Sequence, residues 1–316
     1  MALATEPRRA PTAPPQAAAM SDTEFRMLSD LLRHHCGLHF GADTRFVFEK
    51  RVLRRVRELE LTSFAAYHLL LRNGASRDQE LARLVDELTI NETYFLRERS
   101  QLTALVAEVL PELRMQQRSD RPLSVWSAGC SSGEEPYSIV ILALEAGLVP
   151  GVDFRVYASD ISQRMLRRAR EGVYRETSFR DTEPGVRERY FAAAEGGLRV
   201  SDEVKRYVDF IHLNLFDTSK LALLGPMDVI LCRNVIIYFD TAGKRRVIDI
   251  FHDKLRPGGH LLLGHSESLI HLSTGFELRH LRRDLVYRRP LGSRIGADPC
   301  HGPDDLGDAD PREIVA

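Results

Sequence analysis

The chain has 316 residues, enough for about two domains at roughly 150 residues each. Its 43% hydrophobic and 28% charged content is that of an ordinary globular protein, and a net charge of −1 offers nucleic acid no general attraction. No run of about 18 uncharged apolar residues is present to cross a membrane, early Pro and Ala interrupt any signal-peptide core, and the four cysteines lack metal-ligand spacing. The expectation is a cytoplasmic, reduced, metal-free protein without membrane insertion.

Residues 1–19, rich in Pro and Ala, read as a disordered tail, and initiation at Met1 or at Met20 fits equally. Residues 20–90 read as a helical domain. Ser21-x-x-Glu24 is a capping box opening a helix with Phe25, Leu28, Leu31 and Leu32 on one face and Gly37 to end it. A second helix is predicted near 44–60, with Phe48, Val52, Val56 and Leu59 on its buried stripe. Off that stripe lie Lys50, Arg51, Arg54, Arg55 and Arg57, which read either as a solvated face or as a strip that docks an acidic partner. Residues 21–90 hold as many acids as bases and no interleaved aromatic platform, so nucleic acid is the weaker candidate. Helices at 62–73 and 76–89 complete a small bundle, and 91–122 reads as a linker helix.

From residue 123 strands alternate with helices, which predicts a mostly parallel sheet covered on both faces. The strands are Leu123–Ala128, Arg155–Ser159, Tyr207–Leu213, Met227–Cys232 and His260–Gly264. The helices are Pro136–Glu145, Gln163–Glu171 and 242–255, the last followed by a turn at Arg256-Pro257-Gly258-Gly259. Phe276–Leu281 and Leu285–Arg288 are too close for a crossover helix, so they form a hairpin and the last strand runs antiparallel. Residues 291–316 read as a disordered acidic tail.

Sheets of this kind bind ligands beyond the carboxyl ends of their strands. After the first strand comes Ala128-Gly129-Cys130-Ser131-Ser132-Gly133-Glu134-Glu135-Pro136, which lacks the GxGxxG of a dinucleotide site. Glu134 and Glu135 would repel a pyrophosphate, which disfavours a dehydrogenase, and suit a ligand with cationic amine and sulfonium groups such as S-adenosylmethionine. Asp160 follows the second strand, placed either to accept from ribose hydroxyls or to cap the next helix. Asn214-Leu215 follows the third strand and Arg233-Asn234 the fourth. His265, after the fifth, reads as structural.

These segments resemble the CheR-type chemotaxis protein methyltransferases over about residues 21–288. The resemblance is carried, in order, by Asn91-Glu92-Thr93-Tyr94-Phe95-Leu96-Arg97, Val125 through Ser138, Ala158-Ser159-Asp160-Ile161, Cys232 through Asp240 and Gly264-His265-Ser266-Glu267. Leu96 stands where the family usually has Phe. The resemblance implies a class I methyltransferase-like (Rossmann-like) mixed sheet behind a small all-α N-terminal domain, with a small receptor-docking β-subdomain near 190–215. It implies S-adenosylmethionine as methyl donor and S-adenosylhomocysteine as product. The implied substrates are glutamate side chains on the cytoplasmic helical bundle of methyl-accepting chemotaxis receptors, modified by a monomer. By the same resemblance Asn91, Thr93, Arg97, Glu135, Asp160, Asn214, Leu215, Arg233 and Asn234 line the cofactor pocket, and Arg97 and Tyr238 face the reacting centre. Two rivals share the fold: a methyltransferase of RNA or a small molecule, and a non-catalytic receptor-binding adapter. Intact Arg97, Glu135, Asp160, Asn234 and Tyr238 argue against the adapter.

Overall fold

The first helix begins where its capping box requires, with Ser21 Oγ accepting from the Glu24 N–H and the Glu24 carboxylate accepting from the Ser21 N–H. The computed structural model describes residues 19–117 and 120–292, so both expected tails fall outside the described residues except at their inner ends. Helices α1 (Asp22–Cys36), α2 (Arg45–Glu58), α3 (Phe64–Asn73) and α4 (Arg77–Leu88) follow one another. They pack through Leu28, Leu32, Phe48, Val52, Val56, Tyr67, Leu71, Leu81 and Leu84, whereas Leu59 is only partly buried. Gly37 ends α1 at φ 79°, and a Cβ there would lie 2.3 Å from the Phe216 ring, so the residue must be glycine for the bundle to reach the rest of the protein.

The expected linker helix is shorter than 91–122. Helix α5 (Arg99–Ala104), a π-helical turn (Leu105–Val109) and α6 (Leu110–Gln116) run on as one rod, while residues 91–98 form an irregular loop. Pro111 has no N–H to give to the Ala107 carbonyl, and the wider turn just before it relieves the clash.

The remainder contributes β1 (Leu123–Ala128), α7 (Glu134–Glu145), β2 (Phe154–Asp160), α8 (Gln163–Glu171), β3 (Val173–Tyr174), α9 (Pro184–Tyr190), β4 (Phe191–Ala194) and β5 (Gly197–Val200). It continues with α10 (Asp202–Lys205), β6 (Val208–His212), α11 (Thr218–Leu221), β7 (Met227–Cys232), α12 (Thr241–Lys254), β8 (Leu255–Leu263), β9 (Glu277–His280) and β10 (Leu285–Arg288). Seven strands form one sheet in the order β6-β2-β1-β7-β8-β10-β9, parallel from β6 to β8. The last strand slots between β8 and β9 and runs antiparallel to both, as a short hairpin demands.

Three further departures from expectation bear on the architecture. Helix α7 starts at Glu134, two residues early, because Gly133 enters the left-handed region and lets the helix begin there. The expected turn at 256–259 is a bulge inside β8: Leu255 opposes Met227 and His260 opposes Val229, and the residues between are extruded. The small subdomain sheet is β3-β5-β4, spanning 173–200 rather than 190–215, and β6 belongs to the central sheet. Strand β3 is too short to show a period in sequence.

Alternation along the strands feeds two cores. Trp126, Ile230 and Leu261 face the helical domain and α12, while Val125, Val229 and Leu262 face α7 and the rod of α5 and α6. The bundle is therefore a cover on one face of the sheet.

Candidate active site

Strand β1 is flanked by β2 and β7, the point at which the chain switches direction across the sheet, and a crevice opens there beyond the strand ends. It holds a cavity of about 380 Å³. Asn91, Thr93, Arg97, Glu135, Asp160, Asn214, Leu215, Arg233, Asn234 and Tyr238 all line it. Sequence alone did not anticipate its other wall, which is the helical domain: Cys36, Leu38, His39, Phe40 and Leu88. The two halves are stitched together by the His39 N–H donating to the Tyr238 carbonyl at 2.9 Å and by a bridge between Leu38 and Phe239.

Asp160 is buried at the end of β2, with its carboxylate accepting from the Ser131 N–H at 2.7 Å and the Ser162 N–H at 2.8 Å. The helix-capping role weighed for it belongs to Ser162, whose hydroxyl accepts from the Met165 N–H. Burial pushes the Asp160 carboxyl up to about 6, against the pull of those N–H donors.

Of the two adjacent glutamates, only Glu135 lines the cavity. It accepts from Ser127 Oγ at 2.6 Å and from Arg233 Nη1 at 3.0 Å. Glu134 turns the other way to Ser132 and Ser178, and burial raises its pKa. Helical geometry separates them, since neighbouring residues project about 100° apart. Arg233 is buried and also binds Glu98 at 3.1 Å and the Arg97 carbonyl at 2.5 Å, so it braces the wall. The Asn214 side chain is likewise occupied, donating to the His35 carbonyl at 2.6 Å and accepting from the Phe216 N–H at 2.9 Å. Its side chain thus closes the turn that follows β6.

Glu267 was recognisable only as part of a motif. Its carboxylate accepts four backbone N–H groups, from Gly264 (2.8 Å), Asn234 (2.7 Å), Val235 (2.9 Å) and Ile237 (3.3 Å), and so clamps the loop that ends in Tyr238. Asn234 in that loop is left-handed at φ 59°. Leu96, Glu98 and Ser131 share this conformation at φ 62°, 52° and 50°, so backbone strain gathers around the cavity. Gly129 lies where a Cβ would strike Val235 at 2.4 Å, which lets the loop after β1 approach the clamped one.

Arg97 is half-buried and donates to the Glu92 carbonyl at 2.7 Å, with its guanidinium 5.8 Å from the centre of the Tyr94 ring. Burial holds the Tyr238 phenol above its usual pKa, with the charge of Arg97 opposing, so it remains a donor at neutral pH. His265 is exposed, lies outside the cavity lining and sits 3.4 Å from Asp284.

The basic run on α2 divides in two. Arg51 and Arg55 turn toward α4: Arg51 donates to the Glu87 and Leu88 carbonyls. Arg55 is buried in a fork with Glu80, which also accepts from Tyr67. Both are therefore removed from the expected docking strip, because an arginine beside the apolar stripe can bury its stem and pair its head within the bundle. Lys50, Arg54 and Arg57 remain exposed at i, i+4, i+7 spacing, with Arg54 paired to Glu87.

The wall chemistry fits the expected ligand. Asp160 and Glu135 present carboxylates, while Ser131 Oγ and Arg233 Nε are buried polar atoms without a partner among the described residues. Leu38, Leu88, Ile161, Leu215 and Phe239 supply apolar surface for a purine, and nothing in the first turn of α7 welcomes a phosphate. Fold and site define a class I S-adenosylmethionine-dependent methyltransferase with a helical cover domain. Residues 23–89 match the CheR methyltransferase all-alpha domain, and residues 91–284 match the CheR methyltransferase SAM binding domain. The chain belongs to the CheR methyltransferase family.

Similar proteins include chemotaxis protein methyltransferase 2 of Vibrio cholerae, 38% identical over 86% of this chain and 94% of that one. The chemotaxis protein methyltransferase of Escherichia coli is 38% identical over 83% and 90%. The probable biofilm formation methyltransferase WspC of Pseudomonas aeruginosa is 35% identical over 85% and 63%. The activity is that of a protein-glutamate O-methyltransferase acting on chemoreceptors with S-adenosylmethionine. No helix of the described residues is long and apolar enough to cross a membrane.

Proposed function

We propose that Asn91, Thr93, Glu135, Asp160, Leu215 and Asn234 hold S-adenosylmethionine directly, that Asn214 serves it through its main chain, and that Arg97 and Tyr238 address the receptor glutamate. Arg233 acts through Glu135, whose carboxylate it orients. The cofactor supplies a methyl group on a cationic sulfonium. A receptor glutamate, with an ordinary pKa of about 4.3, is already an anion at neutral pH and needs no general base. What this chain must do is align that carboxylate and strip its water. Half-buried Arg97 offers a guanidinium fork to hold it, Tyr238 a hydroxyl donor, and the helical cover excludes solvent. The products are a glutamate methyl ester and S-adenosylhomocysteine. We further propose that the protein works as a monomer, in the cytoplasm, on the helical bundle of its receptors.

The observation that carries this reading is the meeting of all ten predicted residues in one cavity at the switch point. Its test lies at Asp160. Ribose hydroxyls donate to an ionised carboxylate, whereas below about pH 6 the free protein holds Asp160 protonated. A folded-state pKa above the unfolded value means that ionising Asp160 withdraws stability as pH rises through about 6. A hydrogen-bond-donating ligand restores it. S-adenosylhomocysteine should thus raise the melting temperature more at pH 7.5 than at pH 5, and Asp160→Asn should flatten that difference. The same variant should bind about tenfold to a hundredfold more weakly by calorimetry at pH 7.5. Wild-type affinity in Asp160→Asn would remove Asp160 from the site.

For the receptor we propose docking by the small sheet β3-β5-β4 together with the exposed stripe Lys50, Arg54 and Arg57. Lys50 and Arg57 form no ion pair among the described residues, leaving their charge free for an acidic helix. Reversing both to Glu should raise the apparent Michaelis constant for receptor about tenfold at low salt. The gap should close toward 1 M salt, where the Debye length is about 3 Å against about 10 Å at 0.1 M. Equal Michaelis constants at low salt would make the stripe a solvated face.

A further inference from the structure

The small sheet and the reacting centre share one loop. Phe95 is buried against Phe179 at 5.2 Å, Phe191 at 4.9 Å and Tyr174 at 4.8 Å between ring centres, and its N–H donates to the Ser178 carbonyl at 2.9 Å. All four partners belong to the small-sheet region. The loop that carries Arg97 is thereby pinned to that region as well as to α7, where the Leu96 N–H donates to Ser138 Oγ at 2.9 Å. Its backbone needs such pins, because Leu96 and Glu98 on either side of Arg97 are both left-handed.

Arg180 adds a contact of a different kind. It follows the short 3-10 turn Glu176–Phe179 and lays its guanidinium 3.7 Å from the centre of the Tyr94 ring, while Nη2 donates to Glu92 Oε1 at 3.1 Å. Arg97 lies over the same ring at 5.8 Å and donates to the carbonyl of the same Glu92 at 2.7 Å. Each arginine therefore touches both Tyr94 and Glu92. A cation over a ring and a charged hydrogen bond together fix the ring's tilt and the residue's position, and Arg97 leans on both.

We propose that Arg180 is a positioning residue for the methyl transfer: it sets Tyr94 and Glu92, and through them aims Arg97, so that the small sheet, and not the central sheet alone, places the reacting guanidinium. This rests on the reading of Arg97 given above. Arg180 is exposed, so its removal leaves the core intact.

The test uses the full chain with a receptor cytoplasmic fragment at saturating S-adenosylmethionine. Arg180→Ala should lower kcat about threefold to tenfold with the receptor KM and the melting temperature near wild type. Arg180→Lys, which keeps a cation over the ring, should recover most of the loss. In a background carrying both Tyr94→Ala and Glu92→Ala, adding Arg180→Ala should change kcat by less than about twofold, because both of its contacts are already gone. An unchanged kcat, with or without a raised KM, overturns the proposal, as does an equal fall in both backgrounds. Arg97→Ala runs alongside as the reference. Full turnover there removes the role of Arg97 itself, whereas lost turnover there with full turnover in Arg180→Ala removes only this inference.

Discussion

Replacing Arg233 by methionine is expected to destabilise the protein by about 3–5 kcal/mol and to abolish measurable cofactor binding. The side chain is 2% exposed and lies between Glu135 at 3.0 Å and Glu98 at 3.1 Å, whose own side chains are only 15% and 14% exposed. Methionine fills much of the volume but leaves two carboxylates nearly out of water with no cation between them, together with the Arg97 carbonyl that Arg233 also serves. An uncompensated buried charge of this kind is what makes the loss of one partner so much larger than the net worth of the pair. For a chain of this size each kcal/mol moves the melting temperature by about 2–4 °C, so a fall of roughly 6 °C or more should appear on heating. Arg233→Lys should be intermediate, since an ammonium keeps the charge but cannot reach both acids and the carbonyl with one planar fork. A melting temperature for Arg233→Met within about 2 °C of wild type would show that water reaches Glu135 and Glu98 instead.

The second large effect is expected at Glu267, outside the cavity. Glu267→Ala removes the common acceptor of four N–H groups, from Gly264, Asn234, Val235 and Ile237. Each donor left without a partner costs about 1–3 kcal/mol if it stays buried. The loop can escape most of that penalty only by opening toward water, and Asn234 will then leave its left-handed conformation. Opening moves Tyr238, so kcat should drop about a hundredfold, because a misplacement of about 1 Å suffices for that. Thermal stability should fall by less than for Arg233→Met. Glu267→Gln is a sharper probe: its amide oxygen can replace one carboxylate oxygen, but its NH2 group faces N–H donors. Hydrogen exchange should report faster amide exchange at Asn234, Val235 and Ile237 in both variants. Normal exchange protection there would mean that the loop holds itself.

Much of this molecule is readable along the chain because the underlying physics is local. The capping box at Ser21, the glycine after α1 and the 3/4 spacing of Leu81, Leu84, Val85 and Leu88 each depend on residues within a turn or two. That is why the boundaries of α1 to α4 fall within two residues of expectation. The strands β1 and β7 and helix α8 are matched to the residue, since a buried parallel strand is an uninterrupted apolar run closed by polar residues. Polar residues at successive strand ends were visible for the same reason, and the parallel sheet brings them to one edge.

The tertiary structure alone decided which of two neighbouring charges faces the ligand. Glu134 and Glu135 look equivalent in sequence, yet only one points into the cavity, because the starting angle of α7 is set by the left-handed Gly133 and by packing against β2 and α5. The five cations of α2 likewise read as one strip until α4 packs beside the helix and takes Arg51 and Arg55 into its own carbonyls and carboxylate. The helical cover over the cavity, the clamp by Glu267 and the tie between Arg180 and Tyr94 join residues far apart in the chain. No local period or propensity encodes such contacts. They exist because burying two apolar faces on one sheet leaves few places for the remaining polar groups, and each must find its partner there.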